Sequence, residues 1–269
     1  MESLRIAAAV VRAPIGEKEK NLDRVTHWTK IAAKKGCRLI CFPEMNITGY
    51  CNQEAMTGYA ESIPGPASDR LLGLAEDTGV TILAGMAEKD VAGKLYIVHL
   101  AAGPDGDLST YRKLHLAPPE QTLFSPGEDV PLFKVDKTTF GIQLCYDAHF
   151  PELATRMAVD GADVVFIPHA SPSRGMTVAD KHQSWMRHLP ARAYDNGLFI
   201  VACNLCGDNC NGLEFPGNAV VIDPSGNILD KKLDESEGLL VVDLEGAALE
   251  HVREHRMRYF LPNRRPELY

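Results

Sequence analysis

Short apolar runs alternate with amphipathic stretches from one end of this chain to the other, and that alternation constrains the fold more than any other feature. Strand-like runs occupy residues 4–11, 38–42, 81–86, 95–101, 140–145, 163–167, 198–202, 219–222 and 239–242. Between the first two, Leu22, Val25, Trp28 and Ile31 or Ala32 recur at three- and four-residue steps, and Gly36 ends the run. That spacing predicts an amphipathic helix over 17–35. Residues 67–78, 152–159 and 180–196 predict further helices, closed by Gly79, Gly161 and Gly197. Runs that are apolar throughout suit strands covered on both faces, so the pattern predicts a layered α/β architecture. Neither an internal repeat nor a Ser/Pro-rich linker divides the chain, which predicts one domain over 1–269. Asp223-Pro224-Ser225-Gly226-Asn227 lies between two apolar runs and predicts a hairpin turn. Residues 246–269 read as a C-terminal helix and arm, Pro- and Arg-rich at its end, suited to packing on a partner subunit.

Composition narrows the function classes. Lys and Arg number 28 against 36 Asp and Glu, a net charge of −8, which lacks the basic footprint of a nucleic-acid or anionic-membrane binder. Apolar runs such as Ile6 to Val11 fall far short of the roughly 18 residues of a membrane span. Met1 to Arg5 lacks the pattern of a secretory signal, so the expected location is the cytoplasm. The 7 cysteines cannot all pair and are scattered, as free thiols in a reducing compartment would be. A small-molecule substrate is the expected partner.

Three apolar or alternating runs end on residues able to do chemistry, where open α/β sheets place their ligand sites. Residues 38–44 deliver Glu44 just past a strand end, with Pro43 fixing the exit; 109–115 carry Lys113; and 140–147 bring Cys145 to a strand-to-helix turn before Phe150-Pro151-Glu152. A carboxylate can take a thiol proton, and the thiolate is the effective nucleophile. An ammonium with the backbone N–H after the nucleophile can stabilise an oxyanion. Taken singly, such residues are more often a buried apolar thiol and two surface charges.

Together these blocks resemble the nitrilase superfamily of carbon–nitrogen hydrolases over nearly the whole chain. The matching blocks are Phe42-Pro43-Glu44 with Thr48-Gly49-Tyr50, Tyr111-Arg112-Lys113-Leu114-His115-Leu116, and Leu144-Cys145-Tyr146-Asp147 with Phe150-Pro151-Glu152. Further matches are Gly161-Ala162-Asp163, Arg192-Ala193 with Asn196, Asp223-Pro224-Ser225-Gly226 and the closing Arg264-Arg265-Pro266-Glu267-Leu268-Tyr269. The resemblance implies a four-layer αββα sandwich that assembles as a homodimer or larger homo-oligomer. It implies Cys145 as nucleophile, Glu44 as general base and Lys113 as oxyanion stabiliser, with no cofactor. It also implies a second glutamate near the lysine. Glu120, 7 positions after Lys113, fills that place, with Glu128 as the alternative.

Cys-Tyr-Asp around the nucleophile resembles the amidases and ω-amidases more than the nitrilases, which favours an amide substrate. The stretch from His169 to Met176 should border the pocket, with His169, Arg174 and Tyr146 as candidate substrate-binding residues. Arg174 is suited to a substrate carboxylate, which keeps N-carbamoyl (ureido) hydrolysis open beside nitrile cleavage and a non-catalytic dimer module. Cys203, Cys206 and Cys210 form a C-x2-C-x3-C run, but tetrahedral zinc needs a fourth ligand and none is near, so no metal is expected. No G-x-G-x-x-G loop supports a nucleotide.

Overall fold

The computed structural model describes residues 1–268. All nine predicted strands form, with their ends displaced by a few residues. The first sheet has the order β14-β1-β2-β3-β4-β5, built from β1 (Leu4–Val10), β2 (Leu39–Cys41), β3 (Thr81–Lys89), β4 (Leu95–Ala102), β5 (Leu108–Arg112) and β14 (Gly238–Leu244). The second has the order β13-β12-β9-β8-β7-β6, from β6 (Phe133–Val135), β7 (Thr138–Ile142), β8 (Val164–His169), β9 (Phe199–Asn204), β12 (Asn218–Ile222) and β13 (Ile228–Leu233). A short ribbon pairs β10 (Cys206–Asp208) with β11 (Glu214–Pro216). Each sheet is built around three parallel strands, β1-β2-β3 and β7-β8-β9, flanked by antiparallel ones.

The strand periodicity explains the layers. Along β1, Ile6, Ala8 and Val10 join the core between the two sheets, while Ala7 and Ala9 join the core under α1 (Lys18–Lys34) and α2 (Pro66–Thr78). Side chains alternate across a strand, so burial of both faces demands a run without polar interruption. The second sheet carries α3 (Pro151–Val159), α4 (Val178–Trp185) and α5 (Leu189–Asn196) on its outer face, completing an αββα sandwich in a single domain.

Two expectations change in detail. The helix predicted over 180–196 is two helices, because Pro190 lacks an amide N–H and occupies the first turn of α5, forcing a break after Trp185. The strand predicted to end on Cys145 ends at Ile142, and Cys145 opens a 3-10 turn, Cys145–His149, that leads into α3. The helix expected within 246–269 is α6 (Gly246–Arg253), whose Arg253 pairs with Asp163 at 2.7 Å; beyond it Phe260 stacks edge-on against Tyr194. Tyr269, the last residue of the predicted arm, lies outside the described residues. Among the described residues no helix is long and apolar enough to cross a membrane.

The loop carrying Glu44 rests directly on β3. The Gly85 amide donates to Asn46 Oδ1 (2.8 Å), its carbonyl accepts from the Ile47 amide (2.9 Å), and a Cβ at Gly85 would lie 2.6 Å from the Met45 nitrogen. That contact is backbone and cannot swing aside. Gly85→Ala is therefore expected to destabilise the fold by about 2 kcal/mol or more in urea titrations. A variant as stable as the parent would contradict this packing.

Candidate active site

Glu44, Lys113 and Cys145 leave β2, β5 and β7 at the ends where the parallel strands of both sheets finish, and the two sheets bring them together. Past β2, Pro43 and a left-handed Met45 (φ 52°) turn the chain so that Glu44 is enclosed between Lys113 on one side and Ala170, just past β8, on the other. Lys113 Nζ donates to Glu44 Oε1 at 2.8 Å and to Glu120 Oε1 at 2.9 Å, with all three side chains buried. The Ala170 amide donates to Glu44 Oε2 at 2.8 Å, and the charges of Glu44, Lys113 and Glu120 all act on the Cys145 thiol. Glu44 and Lys113 are thus shut away from water, and the partly exposed Cys145 thiol lies within electrostatic reach of both.

Burial determines the protonation states. It pushes the Glu44 carboxyl upward; Lys113 pulls back, Glu120 pushes further up, and the net shift is upward. Burial raises the Cys145 thiol, Glu44 and Glu120 raise it further, and Lys113 and the Ala170 amide only partly oppose them. Burial alone would lower Lys113, but Glu44, Cys145 and Glu120 outweigh it and hold the ammonium well above its ordinary range. A protonated thiol beside a carboxylate and a permanent cation is poised for proton transfer coupled to attack on an electrophile.

Cys145 itself is left-handed, with φ 47°, a conformation that is costly for a residue with a Cβ and is found where the surroundings over-determine it. The determinant is Asp147. Its Oδ2 accepts from Tyr111 Oη (2.7 Å) and the Leu144 amide (2.9 Å), and its Oδ1 accepts from the His115 amide and ring Nδ1 (both 2.8 Å). One buried carboxylate therefore ties the turn of the nucleophile to both sides of Lys113. Glu120 is held in a comparable way by the Tyr50 hydroxyl (2.9 Å) and the Ala117 amide (2.8 Å). Glu128 is exposed and outside this cluster.

The remaining candidates lie around this cluster. His169 is buried, its Nδ1 donates to the Ile167 carbonyl (2.7 Å), its ring lies against Trp185, and burial keeps it neutral. Tyr146 is half-buried against Phe150 and His149, and Arg174 is exposed on the loop after β8 with φ 47°. Cys203 is buried with its thiol toward the Cys41 carbonyl (3.6 Å), Cys206 is buried on β10, and Cys210 is exposed. Among the described residues no three His, Cys, Asp or Glu side chains are grouped to hold a metal ion. Sequence reasoning quoted Tyr50 and Asp147 within motifs without giving either a task. Their place beside Glu44 and Cys145 in those motifs was the available signal.

A model of the carbon-nitrogen hydrolase family matches residues 7–254. The chain belongs to this family. A protein named nitrilase from Pyrococcus abyssi is 31% identical over 99% of both chains. Omega-amidase NIT2 of Mus musculus is 29% identical, covering 94% of this chain and 92% of its own. Among solved structures, the amidase from Nesterenkonia sp. AN1 is 29% identical, with a TM-score of 0.84 over 98% of this chain and 95% of its own, in a form showing covalent addition of the acetamide moiety of fluoroacetamide at the active site cysteine. Hydrolysis of carbon–nitrogen bonds is the chemistry of this family, and its amidase members share the sandwich described above.

In this carbon–nitrogen hydrolase, replacing Asp147 removes the acceptor of four donors. Asp147→Ala is expected to cost at least about 3 kcal/mol of unfolding free energy, since each buried donor left without a partner costs roughly 1–3 kcal/mol. Chemical denaturation checks this, and a loss under about 1 kcal/mol would show that Asp147 does not anchor the turn.

Proposed function

We propose that this enzyme is a cysteine amidase that cleaves the C–N bond of a small linear amide through a thioester on Cys145. The observation that carries the reading is the buried Lys113 ammonium fixed between Glu44 and Glu120, at 2.8 and 2.9 Å, with all three charges acting on the Cys145 thiol. Glu44 takes the thiol proton as sulfur attacks the carbonyl carbon, and Lys113 with the Tyr146 backbone N–H stabilises the oxyanion. Glu44 then returns the proton to the departing nitrogen, which leaves as ammonia or an amine. Water, deprotonated by Glu44, attacks the thioester and releases the acid and the free thiol. Glu120 keeps Lys113 in place.

An amide is favoured over a nitrile by the Cys145-Tyr146-Asp147 sequence and by the amidases and omega-amidases among the relatives. Glu44 serves as a base only when ionised, so kcat/KM rises with pH as it loses its proton. Because its pKa is raised above 4.5, the acid limb is expected to centre above that value. Lys113, held above 10.5, keeps its charge throughout, so no alkaline loss from that residue is expected below 10.5. The test is ammonia release from butyramide and butyronitrile across this range by the parent and Cys145→Ala proteins. Turnover of the amide by the parent alone, with the acid limb above 4.5, is the expected result. Amide turnover by Cys145→Ala, or nitrile turnover without amide turnover, would overturn the reading.

A further inference from the structure

The strap that follows β8 carries a backbone donor of the general base. β8 and β9 pair in parallel as far as His169 and Asn204, where both strands end. The next amide along β8, that of Ala170, donates across the sandwich to Glu44 Oε2 at 2.8 Å. One residue further on, Asn204 resumes the pairing with its side chain: Oδ1 accepts from the Ser171 amide (2.9 Å) and Nδ2 donates to the Ser171 carbonyl (3.0 Å). A side-chain amide thus replaces the backbone of a further strand residue. Its Nδ2 also donates to Asn218 Oδ1 on β12 (3.3 Å). Asn204 and Asn218 are fully buried, where an unmade hydrogen bond is costly, so this clamp is strictly held.

Lys181, in α4, grips the same strap from the helix side. It is 5% exposed, and its Nζ donates to the Ser171 hydroxyl (3.0 Å) and the Pro172 carbonyl (2.8 Å). Both acceptors belong to the strap, so releasing it would strand a buried ammonium. The Ser173 amide adds a bond to the Glu214 carbonyl of β11 (2.8 Å). Residues 171–173 are thereby tied to β9, β11 and α4, and Ala170 is joined to them by a peptide bond. The consequence falls on Glu44. Its Oε1 is held by Lys113 and its Oε2 by Ala170, which fixes the plane of the carboxylate. Held at one oxygen alone, the carboxylate would be free to rotate about Lys113.

Resting on the amidase reading above, we infer that Asn204 and Lys181 are positioning residues of the general base: by fixing the strap they keep the Ala170 amide on Glu44 and set the orientation of its carboxylate. They act through the strap and take no part in bond breaking. Among the described residues, Lys113 and Glu120 after β5, Cys145 after β7 and Tyr50 after β2 are the titratable groups within electrostatic reach of Glu44. Asn204 is neutral, so its replacement reaches Glu44 through the amide and not through a change of charge. A donor to the ionised form of a carboxyl lowers its pKa, and the Ala170 amide does so for Glu44. Weakening that bond raises the pKa, and the acid limb of kcat/KM moves to higher pH because the base must be ionised.

The test is ammonia release from butyramide across pH by the parent, Asn204→Leu, Lys181→Met and Lys181→Gln proteins, with circular dichroism confirming the fold of each. In Asn204→Leu and Lys181→Met, kcat should fall about 10- to 100-fold while KM changes less than about 3-fold, the pattern of a misplaced catalytic group. The acid limb should move up by about 0.5 to 1 pH unit, the order of one charged hydrogen bond partly lost. Lys181→Gln keeps a donor for the strap without the charge and should recover part of both losses. If Asn204→Leu does not fold, the two Lys181 variants carry the test. Folded variants with kcat and acid limb unchanged would overturn the inference, as would a loss confined to KM, which would make the strap a substrate contact. If the parent hydrolyses no amide, the amidase reading has failed, and the inference is read from the pH dependence of Cys145 alkylation by iodoacetamide, which needs no turnover. Alkylation should quicken as Glu44 ionises, with the limb displaced upward in the variants; a limb absent from the parent or unmoved in the variants would overturn the inference.

Discussion

Everything at this site depends on a lysine ammonium that water does not reach. Removing such a charge from solvent costs several kcal/mol unless oppositely charged groups meet it with good geometry. Lys113 is met by Glu44 and Glu120 at 2.8 and 2.9 Å, and those two carboxylates come from different parts of the chain. Glu44 follows β2, while Glu120 sits in the turn after β5, so satisfying one cation fixes the relation between two loops. The Ala170 amide extends the same constraint to the second sheet by holding the other oxygen of Glu44. The ion cluster thereby joins the two sheets where the core between them ends.

The same constraint explains the reactivity assigned to Cys145. An isolated buried thiol is inert, because burial raises its pKa and leaves it protonated. Here the groups that raise it further, Glu44 and Glu120, are carboxylates. In the proposed mechanism the thiol has no charge at rest and a base beside it, so charge forms only as sulfur attacks, and Lys113 balances the negative charge as it moves from Glu44 to the substrate oxygen. Asp147 is a second buried carboxylate with a different task. Its four donors hold Cys145 in a left-handed conformation that the residue would not adopt alone.

Much of this was legible in the sequence, for identifiable reasons. The two-face burial of β1, β3, β4, β8 and β9 writes itself as continuous apolar runs, and α1 and α2 show their buried stripes at helical spacing. Shorter or solvent-facing strands carry no such signal: β13 reads Ile-Leu-Asp-Lys-Lys-Leu and β10 has only three residues. The break between α4 and α5 was masked by apolar spacing that runs through Pro190. Glu44, Lys113 and Cys145 could be grouped because each lies in a recognisable block near a strand end, and Glu120 because it follows Lys113 by 7 positions. The tasks of Tyr50 and Asp147 were not legible, since each depends on partners far away in sequence: Tyr50 meets Glu120 across 70 positions, and Asp147 meets Tyr111 across 36.

The central claim is that Lys113 permits acyl transfer to Cys145, and rapid-quench intact-mass measurement with peptide mapping on protein mixed with an amide tests it most directly. The account predicts an adduct equal to the amide less ammonia on Cys145 in the parent protein and none in Lys113→Met protein whose circular dichroism matches the parent's. Ammonia released without an adduct on Cys145, or an adduct that accumulates equally in Lys113→Met, would contradict it.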